Sequence, residues 1–233
     1  MDKTQNYYSD KIVYKPWGQE HVVYNNKNDL AITLIDIKYG HKTSLHSHPK
    51  KKTGFIILDG TALVQIGLYK KNVKKFKPLS RLVIRPGLFH SLKADSKKGM
   101  CALEFETPYM KNDLIRLEDS YGRQSKSYEG KKHTKKIIDN SLAKFKKPKL
   151  GKKNIYKFKN LEILIETKKN FNKFSKKNDK TTTAILDGRI VDNKGQDVIK
   201  TGEIVKTSTL CILAKKFKIK KPITILKVSR KNK

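Results

Sequence analysis

Apolar residues in this chain recur in short runs that are separated by Gly, Pro, Asn, Asp and clusters of lysine. Runs rich in Ile, Leu and Val that alternate with polar residues, or stay apolar, are typical of β-strands. In the first half we predict strands at residues 21–24, 30–37, 54–58, 61–69, 81–84 and 100–106. In the second half we predict them at residues 154–158, 161–166, 181–191, 203–213 and 222–229. Many short strands with little helix predict an all-β fold, a sandwich or a barrel.

The two halves of the chain carry a similar pattern. The tetrapeptide Ile57-Leu58-Asp59-Gly60 returns as Ile185-Leu186-Asp187-Gly188, each time between two predicted strands. Asp-Gly between strands predicts a hairpin turn, because glycine readily adopts the positive φ that such a turn needs. A polar, lysine-rich stretch separates the halves. We therefore predict two β domains of the same kind, at residues 1–123 and 154–233, joined by a linker at residues 124–153.

Charge is the most unusual feature of the composition. The 233 residues include 54 Lys and Arg against 21 Asp and Glu, a formal net charge of +33. Such a charge attracts polyanions. However, only six of the basic residues are arginines, and no known nucleic-acid-binding motif accompanies them. We expect no specific nucleic-acid partner.

The sequence also bears on location and redox state. No apolar run approaches the roughly 18 residues of a membrane span, and the N-terminus lacks the apolar core of a secretory signal. We expect a cytoplasmic protein with no membrane partner. Cys101 and Cys211 lie far apart within apolar runs, which predicts two buried, reduced thiols.

Three histidines are candidates for metal binding. His46 and His48 stand two residues apart, so on a strand they project from the same face. His90 follows a Pro-Gly turn directly after another predicted strand. Neutral imidazoles that converge from different strands suit Zn, Fe, Ni, Cu or Co. Surface histidines, or histidines hydrogen-bonded in a polar pocket, are the alternative.

These residues resemble the two motifs of the cupin superfamily, G-x5-H-x-H-x3,4-E-x6-G and G-x5-P-x-G-x2-H. Gly40, His46, His48 and Gly60 match the first motif, and Gly87 and His90 match the second. The resemblance implies a double-stranded β-helix, or jelly roll, with His46, His48 and His90 as ligands of a divalent transition metal (Zn, Fe, Ni, Mn or Co). Two positions depart from the motifs. Thr53 stands in the slot of the glutamate ligand, and Arg85 stands in a proline slot.

The flanks narrow the resemblance further. Lys15-Pro16-Trp17-Gly18 and the stretch Asp113–Arg123, DLIRLEDSYGR, are similar to the edges of the cupin domain in type II mannose-6-phosphate isomerases. The second half would then be a degenerate cupin, making the chain a bicupin. Adding 128 to His46, His48 and Thr53 gives Phe174, Lys176 and Thr181, and Leu213 stands where the last histidine would be.

The resemblance implies a metal-dependent isomerase acting on a sugar phosphate or nucleotide sugar in polysaccharide or sugar-nucleotide biosynthesis. Lys52 and Arg85 are our candidates for binding the phosphate. No general base can be named from the sequence. Glu104 and Glu106 alternate with apolar residues, and we expect both to face outwards. Two other interpretations remain open: a non-catalytic sugar-binding or regulatory cupin, and a cupin of other metal-dependent chemistry. Whether the chain forms a homodimer is also open.

Overall fold

A computed structural model of the chain describes residues 7–27, 29–138, 144–171 and 181–231. The chain divides into two compact units, Met1–Lys144 and Phe145–Lys233. Antiparallel strands form most of both units, which confirms the predicted all-β fold class.

The described residues of the first unit form strands that belong to two sheets. A 3-10 helix, Lys131–His133, precedes the last strand. The strands are β1 (Lys11–Lys15), β2 (Gly18–Asn26), β3 (Leu30–Ile37), β4 (Leu45–Ser47), β5 (Lys52–Asp59), β6 (Ala62–Ile66), β7 (Val73–Phe76), β8 (Arg81–Ile84), β9 (His90–Ala94), β10 (Met100–Thr107), β11 (Ile115–Glu118) and β12 (Thr134–Lys136).

The two sheets of the first unit share one apolar core. The seven-stranded sheet has the order β12-β1-β2-β3-β10-β5-β8, and the five-stranded sheet has the order β11-β4-β9-β6-β7. One apolar cluster contains Ile37 and Phe55 of the seven-stranded sheet, Trp17 between β1 and β2, and Val64 and Leu92 of the five-stranded sheet. Neighbouring strands of the chain often lie in opposite sheets, as in a jelly roll.

The described residues of the second unit also form two sheets, with one helix. The elements are β13 (Lys153–Phe158), β14 (Leu161–Lys168), β15 (Thr182–Asp187), β16 (Arg189–Val191), β17 (Asp197–Lys200), β18 (Ile204–Lys206), α1 (Thr207–Lys216), β19 (Lys218–Ile219) and β20 (Ile223–Arg230). The sheet orders are β13-β14-β20-β15-β18 and β17-β16-β19.

The strand order of the second unit parallels that of the first. Taken by their order along the chain, β13-β14-β20-β15-β18 corresponds to β2-β3-β10-β5-β8, and β17-β16-β19 corresponds to β7-β6-β9. This parallel supports the prediction of a second, degenerate cupin, which stays a prediction. Phe174 and Lys176, the positions predicted to replace the first two histidines, lie outside the described residues.

The repeated Asp-Gly turns differ from the prediction in one respect. Gly60 and Gly188 have the expected positive φ, 71° and 90°. The strands that they join, however, do not form hairpins, because β5 and β15 each lie in a different sheet from the strand that follows. A side chain at Gly60 would be obstructed, since a Cβ there would lie 2.2 Å from the carbonyl oxygen of Gly99.

The strand predicted at residues 203–213 is wrong after Lys206. Only Ile204–Lys206 is a strand, and α1 begins at Thr207. Leu210, Leu213 and Phe217 recur at helical spacing and pack in the core cluster of the second unit. Leu213, the position matched to His90, therefore lies on a helix.

The boundary between the units lies inside the predicted linker, but part of that stretch packs on the first unit. β12 pairs with β1, and Glu129 is 7% exposed. Buried ion pairs explain this packing: Glu129 binds Lys15, Arg116 and Arg123. A polar, lysine-rich composition did not reveal these contacts.

The cysteines and the membrane-span criterion can also be compared with the structure. Cys101 and Cys211 are both buried and form no disulfide, as predicted. Within the described ranges, no helix is both long and apolar enough to cross a membrane.

Candidate metal centre

The structure brings His46, His48 and His90 together. His46 lies on β4 and pairs directly with His90, the first residue of β9. The ring centroids are 4.4 Å apart for His46 and His90, 4.9 Å for His46 and His48, and 5.4 Å for His48 and His90. One nitrogen from each ring lies within 4.8 Å of the others, and all three side chains are buried. Within the described residues, no carboxylate joins this set.

Backbone carbonyls fix the same tautomer in all three rings. The Nδ1–H groups of His46 and His90 donate to Ser44 O at 2.8 Å and Leu88 O at 3.0 Å. The Nδ1–H of His48 donates to Asp113 O. Because a carbonyl oxygen only accepts, each Nδ1 must carry the proton, and each Nε2 keeps its lone pair. This is how histidine ligands are usually held in metal sites.

Two of the Nε2 atoms are buried and unsatisfied. Within the described residues, Nε2 of His48 and Nε2 of His90 have no hydrogen-bond partner. Leaving a buried acceptor without a partner costs about 1–3 kcal/mol. A metal ion would satisfy these lone pairs, so the three imidazoles fit a divalent transition metal.

The environment keeps the three rings neutral. Burial, and then repulsion from His90 when that ring is protonated, hold the pKa of His46 well below its usual range. Burial, and then the charge of Lys51, lower the pKa of His48 likewise. Burial lowers the pKa of His90 to about 4, against the opposing effect of its bond to Leu88 O. Neutral imidazole is the form that binds metals.

Thr53, at the position of the glutamate ligand, faces the interior of the unit. It lies on β5 between Lys51 and Phe55, which both line the cavity described below. Its Oγ1 is buried and lacks a hydrogen-bond partner in the described part of the chain. The position that holds a glutamate ligand in the motif therefore carries a neutral hydroxyl in this chain.

A cavity of about 70 Å³ adjoins the histidines. His46 and His48 line it, while His90 is 1% exposed and lies against the ring of His46. Basic residues exceed acidic ones along its wall. The charged lining residues are Lys15, Lys51, Lys111, Arg116 and Arg123, with Glu20, Glu104 and Glu106.

The residues predicted to bind phosphate are not among the lining residues. Arg85 is exposed, and Lys52 is half-buried at the start of β5. Strand alternation explains the difference, because Lys51 and Thr53 face inwards and Lys52 faces the other way. Lys51, 3% exposed, is the lysine of this loop that reaches the cavity.

The prediction that Glu104 and Glu106 face outwards is wrong. Both line the cavity, on the same face of β10 as Ala102. Ala102 belongs to the apolar core cluster, and Glu106 is only 1% exposed. Leu103 and Phe105, on the opposite face, are also buried, so alternation in β10 does not separate inside from outside.

Buried ion pairs hold the acidic residues of the cavity. Glu106 binds Lys51 and, at 2.8 Å, Lys111. Glu20 lies 3.5 Å from Lys111 and accepts a hydrogen bond from the hydroxyl of Tyr128. Sequence reasoning missed this network. The sequence signals were the Glu-x-Glu of β10, Lys111 in the loop after β10 and Lys51 directly before β5. No known motif connects these positions.

Fold and site together define the class of protein. A jelly-roll unit with two histidines from one motif and a third from another, meeting beside a cavity, is a cupin with a three-histidine cluster that fits a metal ion.

Comparison with known families names the family. Residues 2–119 match the family model described as "Mannose-6-phosphate isomerase C-terminal", and the chain belongs to that family. A curated relative is the mannose-1-phosphate guanylyltransferase RfbM of Salmonella typhimurium, 29% identical over 122 residues. The match covers 50% of this chain and 24% of RfbM, so the chain spans about a quarter of its relative.

Several solved structures have a similar fold over part of the chain. KdgF from Halomonas sp. is 17% identical, with a TM-score of 0.37, covering 41% of this chain and 84% of KdgF. A protein with a double-stranded β-helix domain from Klebsiella pneumoniae is 19% identical, with a TM-score of 0.38 and coverages of 43% and 79%. A sugar phosphate isomerase of the cupin superfamily from Silicibacter pomeroyi is 9% identical, with a TM-score of 0.38 and coverages of 48% and 68%.

Proposed function

We propose that this protein is a metal-dependent isomerase of sugar phosphates, similar in reaction to mannose-6-phosphate isomerase. One observation carries the proposal: His46, His48 and His90 each keep a free Nε2, and they meet beside a cavity with a basic wall. Family membership supports the choice of reaction.

Different residues would bind the metal ion and the phosphate at such a site. His46, His48 and His90 would hold the ion, which would supply Lewis-acid chemistry to the sugar oxygens. The lysine and arginine side chains of the wall would donate charge-assisted hydrogen bonds to the phosphate dianion. In place of Lys52 and Arg85, we assign phosphate binding to the lysines and arginines of the cavity itself.

Two measurements test the proposal. We expect the purified protein to contain about one transition-metal ion per chain and to interconvert mannose 6-phosphate and fructose 6-phosphate. His46→Ala should lose both the metal and the activity, because it removes one of three ligands. His133→Ala, at an exposed histidine outside the cluster, is the matched control and should keep both. A protein without metal at physiological metal concentrations, or an active His46→Ala variant, would contradict the proposal.

A second candidate is a non-catalytic cupin that binds a sugar or regulates polysaccharide synthesis. Thr53 favours it, because a hydroxyl gives a divalent ion less charge compensation than the glutamate of the motif. In that case the protein would bind a sugar phosphate, measured by calorimetry, without converting it.

A further inference from the structure

Glu104 stands across the cavity from the histidine cluster. It lies on β10 of the seven-stranded sheet, whereas His46 and His90 lie on β4 and β9 of the five-stranded sheet. Glu104, His46 and His48 line the same cavity. The cross-strand neighbour of Glu104 on β5 is Phe55, whose ring centroid is 6.2 Å from that of His90. A ligand in this cavity would lie between the carboxyl group and the histidine cluster.

The two glutamates of β10 differ in their contacts. Glu106 forms ion pairs with Lys51 and Lys111, and Thr33 donates a hydrogen bond to it at 3.4 Å. Glu104 forms no hydrogen bond or ion pair with any residue that the structure describes. Its carboxyl group is therefore free to accept and return a proton, while that of Glu106 is occupied by two ammonium groups.

Some charged groups around Glu104 favour the ionisation of its carboxyl group and others oppose it. Glu106 on its own strand and Glu20 on β2 disfavour its ionisation, whereas Lys111 and Lys51 favour it. The imidazoles of His46 and His48, on the other side of the cavity, are neutral. Burial, followed by the charge of Glu106, raises the pKa of Glu104 to about 7. For Glu106, burial acts in the same direction, but Lys111 and Lys51 together lower its pKa to about 2. Two carboxyl groups whose pKa values differ in this way suit different roles in proton transfer.

We infer that Glu104 is the proton-transfer group of this cavity, and that in the proposed isomerisation it carries the proton between C2 and C1 of the open-chain sugar phosphate. This assignment rests on the proposed function for its substrate. Glu106, held by Lys51 and Lys111, positions those lysines and does not transfer the proton.

The step balances with groups that are present in the substrate and the cavity. The Glu104 carboxylate removes the proton on C2, the C2–H electron pair forms the C1–C2 double bond, and the C1 carbonyl electrons move to O1. The O2 proton then passes to O1, and the carbonyl forms at C2. Glu104 returns its proton to C1, so the carboxylate is restored.

The substitution Glu104→Gln tests the assignment, with Glu118→Gln as the matched control on the exposed end of β11. We expect kcat for mannose 6-phosphate to fall by roughly 10²–10⁴ in Glu104→Gln, with metal content and melting temperature kept. The wild type should gain activity with pH through about 7, and the variant should lose this limb. Glu118→Gln should behave as the wild type. A Glu104→Gln variant within about threefold of wild-type kcat would overturn the inference and leave the isomerase proposal standing.

A measurement independent of activity separates the two ideas. Carbon-13 NMR of glutamate side-chain carboxyls, assigned by loss of one resonance in Glu104→Gln, reports the titration of this group directly. A midpoint near 7 in a protein that converts no sugar phosphate would remove the isomerase proposal and support Glu104 as the proton carrier of another reaction. A midpoint near the ordinary value of about 4.3 would overturn the inference, whatever the activity.

Discussion

Asp113 supports the site through both its backbone and its side chain. Its carbonyl oxygen accepts the Nδ1–H of His48. Its carboxylate accepts the backbone N–H groups of Lys50 and Lys51, at 3.0 Å and 2.8 Å. The same aspartate therefore fixes the tautomer of a candidate ligand and the course of the loop that follows it. Asp113 begins the stretch that resembles the isomerase family, and these bonds give that resemblance a physical reason.

We predict that Asp113→Ala weakens metal binding by about 10- to 100-fold, the usual effect of removing an outer contact of a metal ligand. The carbonyl is retained, but the loop loses both carboxylate bonds, so the ring of His48 is held less firmly. Competition with a chromogenic chelator measures the affinity. Asp113→Asn, which keeps one side-chain oxygen as an acceptor, should lie between the variant and the wild type. Equal affinities in all three proteins would show that the loop does not position His48.

Sequence reasoning found the three histidines of the centre but not the groups around them. The histidines carry a motif whose spacing is fixed by the turns before and after β4 and before β9. For example, Gly87 has a φ of 77° and donates its N–H to the carbonyl of His48 at 2.8 Å. Glu104 was assigned to the wrong face because its strand is buried on both sides, and Lys51 looked like part of a solvated loop because its partner, Glu106, is 55 residues away.

Strand β10 combines an apolar part with a charged part on one face. Met100 and Ala102 pack in the core, and Glu104 and Glu106 continue the same face into the cavity. Two positive charges, Lys51 and Lys111, are buried with Glu106, at 3% and 4% exposure. Ions in such surroundings are stable only when they are paired, so the fold of this strand depends on the network.

We predict that Glu106→Gln destabilises the protein by about 3–5 kcal/mol at pH 7, because it leaves the buried Lys51 without its carboxylate and Lys111 with only the more distant Glu20. The folded pKa of Glu106, about 2, lies below its unfolded value. Its stabilising effect is therefore present above about pH 4.3 and lost as the pH falls towards 2. Urea unfolding of wild type and variant should differ most at neutral pH, and the difference should shrink in acid.

The exposed Glu118→Gln is the control for this experiment and should change stability by no more than about 0.5 kcal/mol. A Glu106→Gln variant as stable as this control at pH 7 would mean that the lysines find water or another partner. The network would then contribute little to the strand.

At the level of secondary-structure elements, periodicity predicted most strands. It failed where contacts with distant parts of the chain determine the structure. Residues 203–213 contain enough Ile, Val and Thr to resemble a strand, yet Leu210, Leu213 and Phe217 are placed by packing into a helix against the second core. Likewise, the Asp-Gly turn at Gly60 was recognised, but only the sheet order shows that it connects two sheets. Local sequence reports turns and alternation, whereas strand partners depend on the rest of the chain.

At the level of the molecule, the candidate chemistry belongs to one unit. All six histidines precede residue 134, and the described cluster, the cavity and the ion pairs that line the cavity lie within Met1–Lys144. The family match, residues 2–119, lies in the same unit. The charge is distributed differently, since residues 131–233 carry 31 basic and 8 acidic side chains. The largest excess of positive charge and the candidate metal ligands thus lie in different parts of the chain. The prediction that the chain has no specific nucleic-acid partner concerns only the charge.

We therefore predict that residues 1–144, produced alone, fold and bind the metal with the stoichiometry and affinity of the whole chain. This unit has its own core cluster and contains all three candidate ligands. Residues 145–233, produced alone, are the matched control and should bind no metal by this chemistry, because they contain no histidine. Circular dichroism reports folding, and elemental analysis with chelator competition reports the metal. A folded 1–144 fragment that binds no metal, next to a whole chain that does, would mean that the second unit is needed to complete the centre.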